Sequence, residues 1–477
     1  MAGTQSVSGL VSGLDTTTLI SQLMQIASAP QQSLKTKQTS TQNLVTALQS
    51  LNTKVSSLGD AATKAATATS WQALSASSSD QSVTATASSA GQPTQITFTV
   101  DRVAQAQTSL LSSSAIQSIA SGQGASIVGA DGSVVPLSVS SGATAQQVAD
   151  AINSSGAGVT AVAINANGGY QLQLTAKSTG AAGAFGIYTG AVTKNDDGTV
   201  DTSGATAVSL TTVRTAQDAQ ITLWPGATNP DGSDASMAVT SSSNSFTGVV
   251  PGLTFTVSQP TTDAVTVSTS RDDGALTKLA SDLVGQLNLV LGEITSQTTS
   301  QTSTADDGST NLTPGVLGGQ SDVMFLQQAT SDAGAQAVTY NGQLVSPASV
   351  GIVVNDDGTF TFDQDAFAAS LAADPDKTQA VVSAIAQRVA SVATTYSDPS
   401  DGLLTSNVTQ QQQEVKDLGD QISDWNVRLQ LQQQSLEDKY NAMETALSQL
   451  QAQSSYLSST LGSIGTSSTS SSSKSSS

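Results

Sequence analysis

The sequence contains no cysteine and no histidine. Those two absences remove the Ser-His and Cys-His nucleophile systems and the usual transition-metal ligand sets. Cations are scarce as well, with 16 Lys and Arg against 36 Asp and Glu, a net charge of −20 and a pI near 4.1. Phosphate recognition relies on clustered Lys and Arg, so this balance argues against a nucleic-acid partner. The acidic residues are dispersed and mainly support solubility. Only 11% of residues are charged and 4% aromatic, which implies thin cores spread over elongated modules rather than one dense globule. No run approaches the ~18 apolar residues of a membrane span. The start has no cationic region ahead of an apolar one, so if the protein leaves the cell, the expected route reads no cleavable signal peptide.

A Ser-Lys dyad or a carboxylate pair remains formally available for catalysis. The eleven lysines and four glutamates, however, mostly fall where a helix surface would place them. No cluster of titratable residues converges on a reaction template, so neither a catalytic residue nor a cofactor or metal is expected. The acidic groups Asn195-Asp196-Asp197-Gly198, Ala305-Asp306-Asp307-Gly308 and Asn355-Asp356-Asp357-Gly358 fail a calcium-loop test. Around Gly358 the first ligand position would be Val353, and Gln364 replaces the closing glutamate. Asp-Gly instead supplies the positive φ of a tight hairpin turn.

What the chain does have is periodicity. Thr41, Leu44, Leu48, Leu51, Val55, Leu58, Ala62 and Ala65 follow a 3-4-3-4 heptad seam. Near the other end, Val415, Leu418, Ile422, Trp425, Leu429, Leu436, Tyr440, Met443, Leu447, Leu450, Leu457, Leu461 and Ile464 form one stripe. Between Leu429 and Tyr440 the spacing becomes 3-4-4 through Gln432, a stutter that relaxes left-handed supercoiling. Neither stripe can bury itself, so the two termini are expected to pair with each other and with a partner. Leu276, Leu279, Leu283, Leu287, Val290, Leu291 and Ile294 mark another helix, followed by a Ser/Thr/Gln-rich loop near 296–313.

The middle of the chain alternates with period two. Residues 95–100, 220–224, 253–257, 264–267 and 170–174 read as strands, and 352–362 reads as a hairpin turning on Asp357-Gly358. Thr144-Ala145-Gln146-Gln147 is a capping box opening a helix with Val148, Ala151 and Ile152 inward and Gly156 at its stop. Trp224, at a strand end, and Trp425, on the helical stripe, read as packing residues.

At the N-terminus, Ser8-Gly9-Leu10 is repeated as Ser12-Gly13-Leu14 before Asp15. Gly9 and Gly13 have the spacing of a membrane helix-dimer motif, but the Thr and Gln residues that follow deny it an apolar setting. The stretch reads as an apolar lead-in, with Asp15 as the N-cap of a helix over 16–26. The Ser-rich end, 465–477, cannot build a core and is expected to be disordered.

Several of these segments, taken in order, resemble the family of flagellar hook-associated protein 2, the bacterial filament cap. They are Gly9-Leu10-Val11-Ser12-Gly13-Leu14-Asp15-Thr16 with Leu23-Met24, Val100–Gln107, and residues 142–180 with Ala151-Ile152-Asn153 and Gly169-Tyr170-Gln171-Leu172. Ser243–Phe246 with Pro251-Gly252-Leu253-Thr254, then Gly351-Ile352, Asp357-Gly358-Thr359 and Asp374-Pro375, complete the set. Where relatives carry an F-V-x-x-Y-N helix, this chain reads Asp282-Leu283-Val284-Gly285-Gln286-Leu287-Asn288.

The resemblance implies an α+β fold: a helical coiled-coil or bundle leg built from both termini, with two nested β-rich domains inserted between them. Its parts would be a flexible leg at 1–40, a bundle at 41–75 and 273–440, and an inner β domain at 76–110 and 208–272. An outer β domain at 111–207 would hold a flagellin/hook-type module near 142–190, and the leg would resume at 441–464. It further implies a non-enzymatic assembly factor, secreted to the filament tip as a ring of about five copies, which retains exported flagellin and promotes its folding and insertion.

Expected partners are flagellin, the hook-filament junction proteins and the flagellar type III export machinery, with an export chaperone on the C-terminal helix. Gly9, Leu10, Gly13, Leu14, Asp15, Leu19, Leu23, Leu457 and Leu461 would make the leg contacts, ordering only on contact. Leu44, Leu48, Leu51, Val55, Leu58, Leu418, Ile422, Trp425, Leu429, Leu436, Tyr440, Met443 and Leu447 would pack the bundle. Alternative readings are a filament or hook-junction subunit, which shares helical termini and a β insertion, and a surface adhesin.

Overall fold

The computed structural model describes residues 13, 15–166, 169–195, 198–304 and 309–467. Among these residues the helices are α1 (Thr16–Ala27), α2 (Ala29–Ala66), α3 (Ser113–Ile119), α4 (Ala145–Ser154), α5 (Asp273–Thr298), α6 (Ser321–Ala335), α7 (Gln364–Ala373), α8 (Pro375–Ser397) and α9 (Leu403–Ser467). The chain folds as two units, Met1–Ala66 with Leu279–Ser477, and Thr67–Lys278. The acidic clusters at 196–197 and 306–308, and the tail from 468 onward, lie outside the described residues.

In the first unit, α2 packs against both α8 and α9. The heptad seam explains the contact, since Thr41, Leu48, Leu51, Val55, Leu58, Ala62 and Ala65 are buried, while Leu44 is half-buried. Pro30 lies just inside the start of α2, where a missing N–H costs nothing, and the chain breaks from α1 at Ser28. The partner absent from the sequence reading is α8. It opens on the Asp374 cap and Pro375 and buries Val381, Val382, Ile385, Val389 and Ala393. α5 buries Leu283, Leu287, Val290 and Ile294 as the pattern required.

Two further connections steady this unit. Asn288 of α5 clamps the strand Phe360–Phe362, its amide donating to Phe360 O at 2.6 Å and its oxygen accepting from Phe360 N at 2.8 Å. The hairpin at 352–362 turns on Asn355–Thr359, with Gly358 at φ 81°. Instead of a plain loop, the stretch after α5 contains a two-stranded hairpin, Gln301–Thr304 with Thr310–Thr313. Alternating β-branched residues favour that pairing.

The second unit holds two cores. One lies between a five-stranded antiparallel sheet and a three-stranded one. The larger sheet runs in spatial order Leu74–Ser78, Val265–Arg271, Thr94–Arg102, Ala219–Leu223, Met237–Ser241, and the smaller runs Ser245–Val250, Leu253–Val257, Val83–Ala87. Inward residues alternate along each strand, as in Ile96, Phe98, Val100 and Ala219, Ile221, Leu223, and the rings of Phe98, Phe255 and Phe246 stack. The other core joins two four-stranded sheets with α3 and α4. Here the Thr144–Gln147 capping box forms, and Val148 and Ile152 are buried. Asn153 bonds both backbone groups of Ala161 at 2.8 Å, covering part of the edge strand Val159–Ala166.

One packing expectation is corrected. Trp224 is 47% exposed, with φ +49°. Ala219, Ile221 and Leu223 take the inward parity of their strand, so the next residue faces solvent as the chain turns.

Candidate functional site: the paired terminal helices

The two ends of the chain meet along α9. Asn52 bonds Thr405, Gln38 donates to Val415 O at 3.2 Å, Lys37 pairs with Glu414 at 2.6 Å, and Gln31 bonds Asn426 and faces Ile422 O. Numbers fall along α2 as they rise along α9, so the pair is antiparallel. α1 continues along the same helix, and Thr16, Ile20, Met24, Glu437, Tyr440 and Asn441 line a groove of about 550 Å³ between them.

Gln31 and Gln38 extend the heptad seam backwards from Thr41 in steps of 3, 4 and 3 through Leu34. Sequence reasoning passed over both because it followed apolar residues. Polar side chains at seam positions give up some stability and specify register, which is what bonds to Val415 O and Asn426 accomplish. Lys54 and Glu293 tie α2 to α5 at 2.6 Å, and Ser50 adds a hydrogen bond at 3.0 Å. The Lys54 ammonium, followed by Ser50, holds the Glu293 carboxyl below its ordinary range.

The stripe on α9 loses cover along its length. Leu418 is buried, and Ile422, Trp425, Leu429, Leu436, Tyr440, Met443 and Leu447 are half-buried. The Arg428 guanidinium stands 5.7 Å from the Trp425 ring. Beyond them Leu450, Leu457 and Leu461 are 60%, 60% and 66% exposed, with Tyr456 beside them. On α1, Asp15 caps the helix through Thr18 N at 3.0 Å, and bonds from the Thr18 hydroxyl and N–H keep its carboxyl below the usual value. Leu19 and Leu23 are exposed, and Gly13 adopts φ +69°. Of residues 9–26 and 447–464, expected to order only on contact, 16–26 already form α1 and 447–464 already continue α9 here. Gly9, Leu10 and Leu14 lie outside the described residues, as does the Ile464 side chain.

Among the described residues no group of three or more Asp or Glu is placed to hold a metal ion, and no helix is long and apolar enough to cross a membrane. The terminal helices thus pair as a leg, with β-sheet domains inserted between them in the chain. Family models match on both sides of the insertion: flagellar hook-associated protein 2 N-terminus over residues 12–107 and C-terminus over 216–452, with the flagellin hook IN motif at 125–178. The chain belongs to the flagellar hook-associated protein 2 (FliD) family of flagellar cap proteins, which are structural and non-enzymatic.

The fold is similar to that of the D1-D2-D3 domains of the flagellar cap protein FliD from Escherichia coli. Identity is 21% and the TM-score 0.54, over 77% of this chain and 99% of that one. FliD (HAP2) from Pseudomonas aeruginosa PAO1 aligns at 22% identity and TM-score 0.33, over 46% of this chain and 96% of that one. Comparison with curated protein sequences yields no match.

Proposed function

We propose that the protein caps the growing flagellar filament as a homo-oligomer at its distal tip, retaining exported flagellin and promoting its folding and insertion. The observation that carries this reading is the uncovered end of the α9 stripe. Leu450, Tyr456, Leu457 and Leu461 are apolar, helically spaced and exposed, so they are available to a helical partner rather than to the chain's own core. Flagellin and the hook-filament junction proteins supply such partners in this reading, the type III export machinery delivers the chain, and an export chaperone covers the same stripe before assembly. Family membership places the protein among cap proteins, and the charge-poor, cysteine-free composition suits passage through a narrow export channel.

The test is complementation of a strain lacking its cap. A chain without residues 1–30 is expected to fold and self-associate but not to support filament growth. Restored growth would sink the proposal. Long helical filaments of the purified protein, in place of small closed rings, would favour a filament subunit instead.

A further inference from the structure

No Lys or Arg occurs from 279 to 376, and Arg388 is the only cation between Lys377 and Lys416. The chain has 36 acidic residues, yet among the described residues Arg388 makes no ion pair. Burial alone moves its titration, downwards, with no contribution from a neighbouring charge. Its Nη2 donates to Gln336 O at 2.8 Å, at the C-terminal end of α6, while Nε is enclosed without an acceptor. Capping that helix end explains one bond of a cation. It does not explain a desolvated charge with an orphaned donor, which native structures normally avoid.

Arg388 lines a groove of about 490 Å³ together with Ala384, Gln387 and Ser391 of α8 and residues 337–339. No carboxylate lines it, and the Gln387 amide with the Ser391 and Thr339 hydroxyls adds further donors. The strand Val338–Tyr340 pairs only with Gln343–Val345, through a two-residue turn in which Asn341 and Gly342 both have positive φ. Such a turn makes Tyr340 and Gln343 the hydrogen-bonded closing pair. Thr339 and Leu344 are then a non-bonded pair, and the Thr339 N–H and C=O point away from the hairpin partner. Among the described residues, no backbone group of another element bonds them.

We propose that this groove captures the free C-terminal carboxylate of an extended peptide, with Arg388 holding the carboxylate and Thr339 pairing the last main-chain groups. A donor-only lining around a charge without a counter-ion selects an anion, and a planar guanidinium suits a planar carboxylate. The open edge is too short to hold the middle of a strand, but one residue with outward N–H and C=O is enough for its end. Because Arg388 has no internal carboxylate to release, the incoming one displaces only water. A contact this small and half-exposed predicts a dissociation constant on the order of 1 mM.

The test uses the full chain labelled isotopically at arginine, since only five arginines give side-chain Nε–H signals. Loss of one signal in Arg388→Gln assigns Arg388. The probes are acetyl-Thr-Val-Thr with a free carboxylate, the same tripeptide as its carboxamide, acetate and inorganic phosphate. The free acid should shift the Arg388 signal saturably and leave the other arginine signals in place. The carboxamide should bind about tenfold more weakly or worse, because it loses a charge-assisted bond. Arg388→Gln also removes the Gln336 cap, so the decisive variant is Ser391→Glu, which keeps Arg388 and sets a carboxylate one helical turn away. It should weaken the free acid about tenfold at a melting temperature no lower than the parent's. An unmoved Arg388 signal, equal binding of the carboxamide, or parent-like binding by Ser391→Glu overturns the proposal. Acetate or phosphate matching the free acid overturns it too, since the groove would then hold an adventitious ion only. None of these outcomes touches filament growth, so the cap reading stands or falls on its own test.

Discussion

At the scale of single residues, the structure turns on a few close fits. Gly334, in the last turn of α6, lies so near Phe360 that an added Cβ would meet the ring tip at 2.6 Å. Alanine gains up to about 1 kcal/mol of helix propensity over glycine, but overpacking a buried ring costs about 1–3 kcal/mol. Gly334→Ala is therefore expected to lower stability, read as a reduced denaturant midpoint. Glu293 titrates below an unfolded carboxylate, so its contribution is complete above the ordinary carboxylate range and fades as pH falls through the folded value. Lys54→Met leaves Glu293 without its cation and should cost about 1–3 kcal/mol near neutrality. The deficit should shrink in acid, and a pH series of melting curves on both proteins checks the sign. Asp398, pushed down to about 2 by the Ser400 hydroxyl and N–H and by Asp401, holds the turn into α9 through its bonds from Ser400 and Asp401.

Elements obey their own logic. The antiparallel α2–α9 pair is specified by Gln31 and Gln38 as much as by leucines. Replacing Gln38 with Leu is expected to raise the melting temperature slightly while weakening register, because it removes the bond to Val415 O and adds apolar area. Cysteine pairs placed across the native register and one heptad away would report it. The native pair should cross-link alone in the parent, and both pairs in the Gln38→Leu variant. α2 was legible because large apolar residues recur at 3-4 spacing over more than 20 residues. α8 escaped notice because alanine and serine fill much of its pattern, so its amphipathicity shows only once Val381, Ile385 and Val389 are seen against α2. Trp224 was misread for want of parity counting, although the inward set Ala219, Ile221, Leu223 excludes it.

For the whole molecule, the second unit has its own two cores and needs no residue of the helical unit to complete either one. The fragment 67–278 should therefore fold alone and melt cooperatively, as read by circular dichroism. A fragment that stays unfolded would refute this independence. The amino-acid sequence by itself determined that the ends are helical, that the middle is β-rich, and that metal and nucleophile chemistry requiring His or Cys is excluded. Periodicity and composition are local properties, and a chain carries them before it folds. Only the tertiary structure decided which stripe residues are covered, that α8 shares α2 with α9, and which strands finish as open edges. Those outcomes depend on what each face meets across sequence separations of hundreds of residues, and no spacing along the chain encodes that meeting.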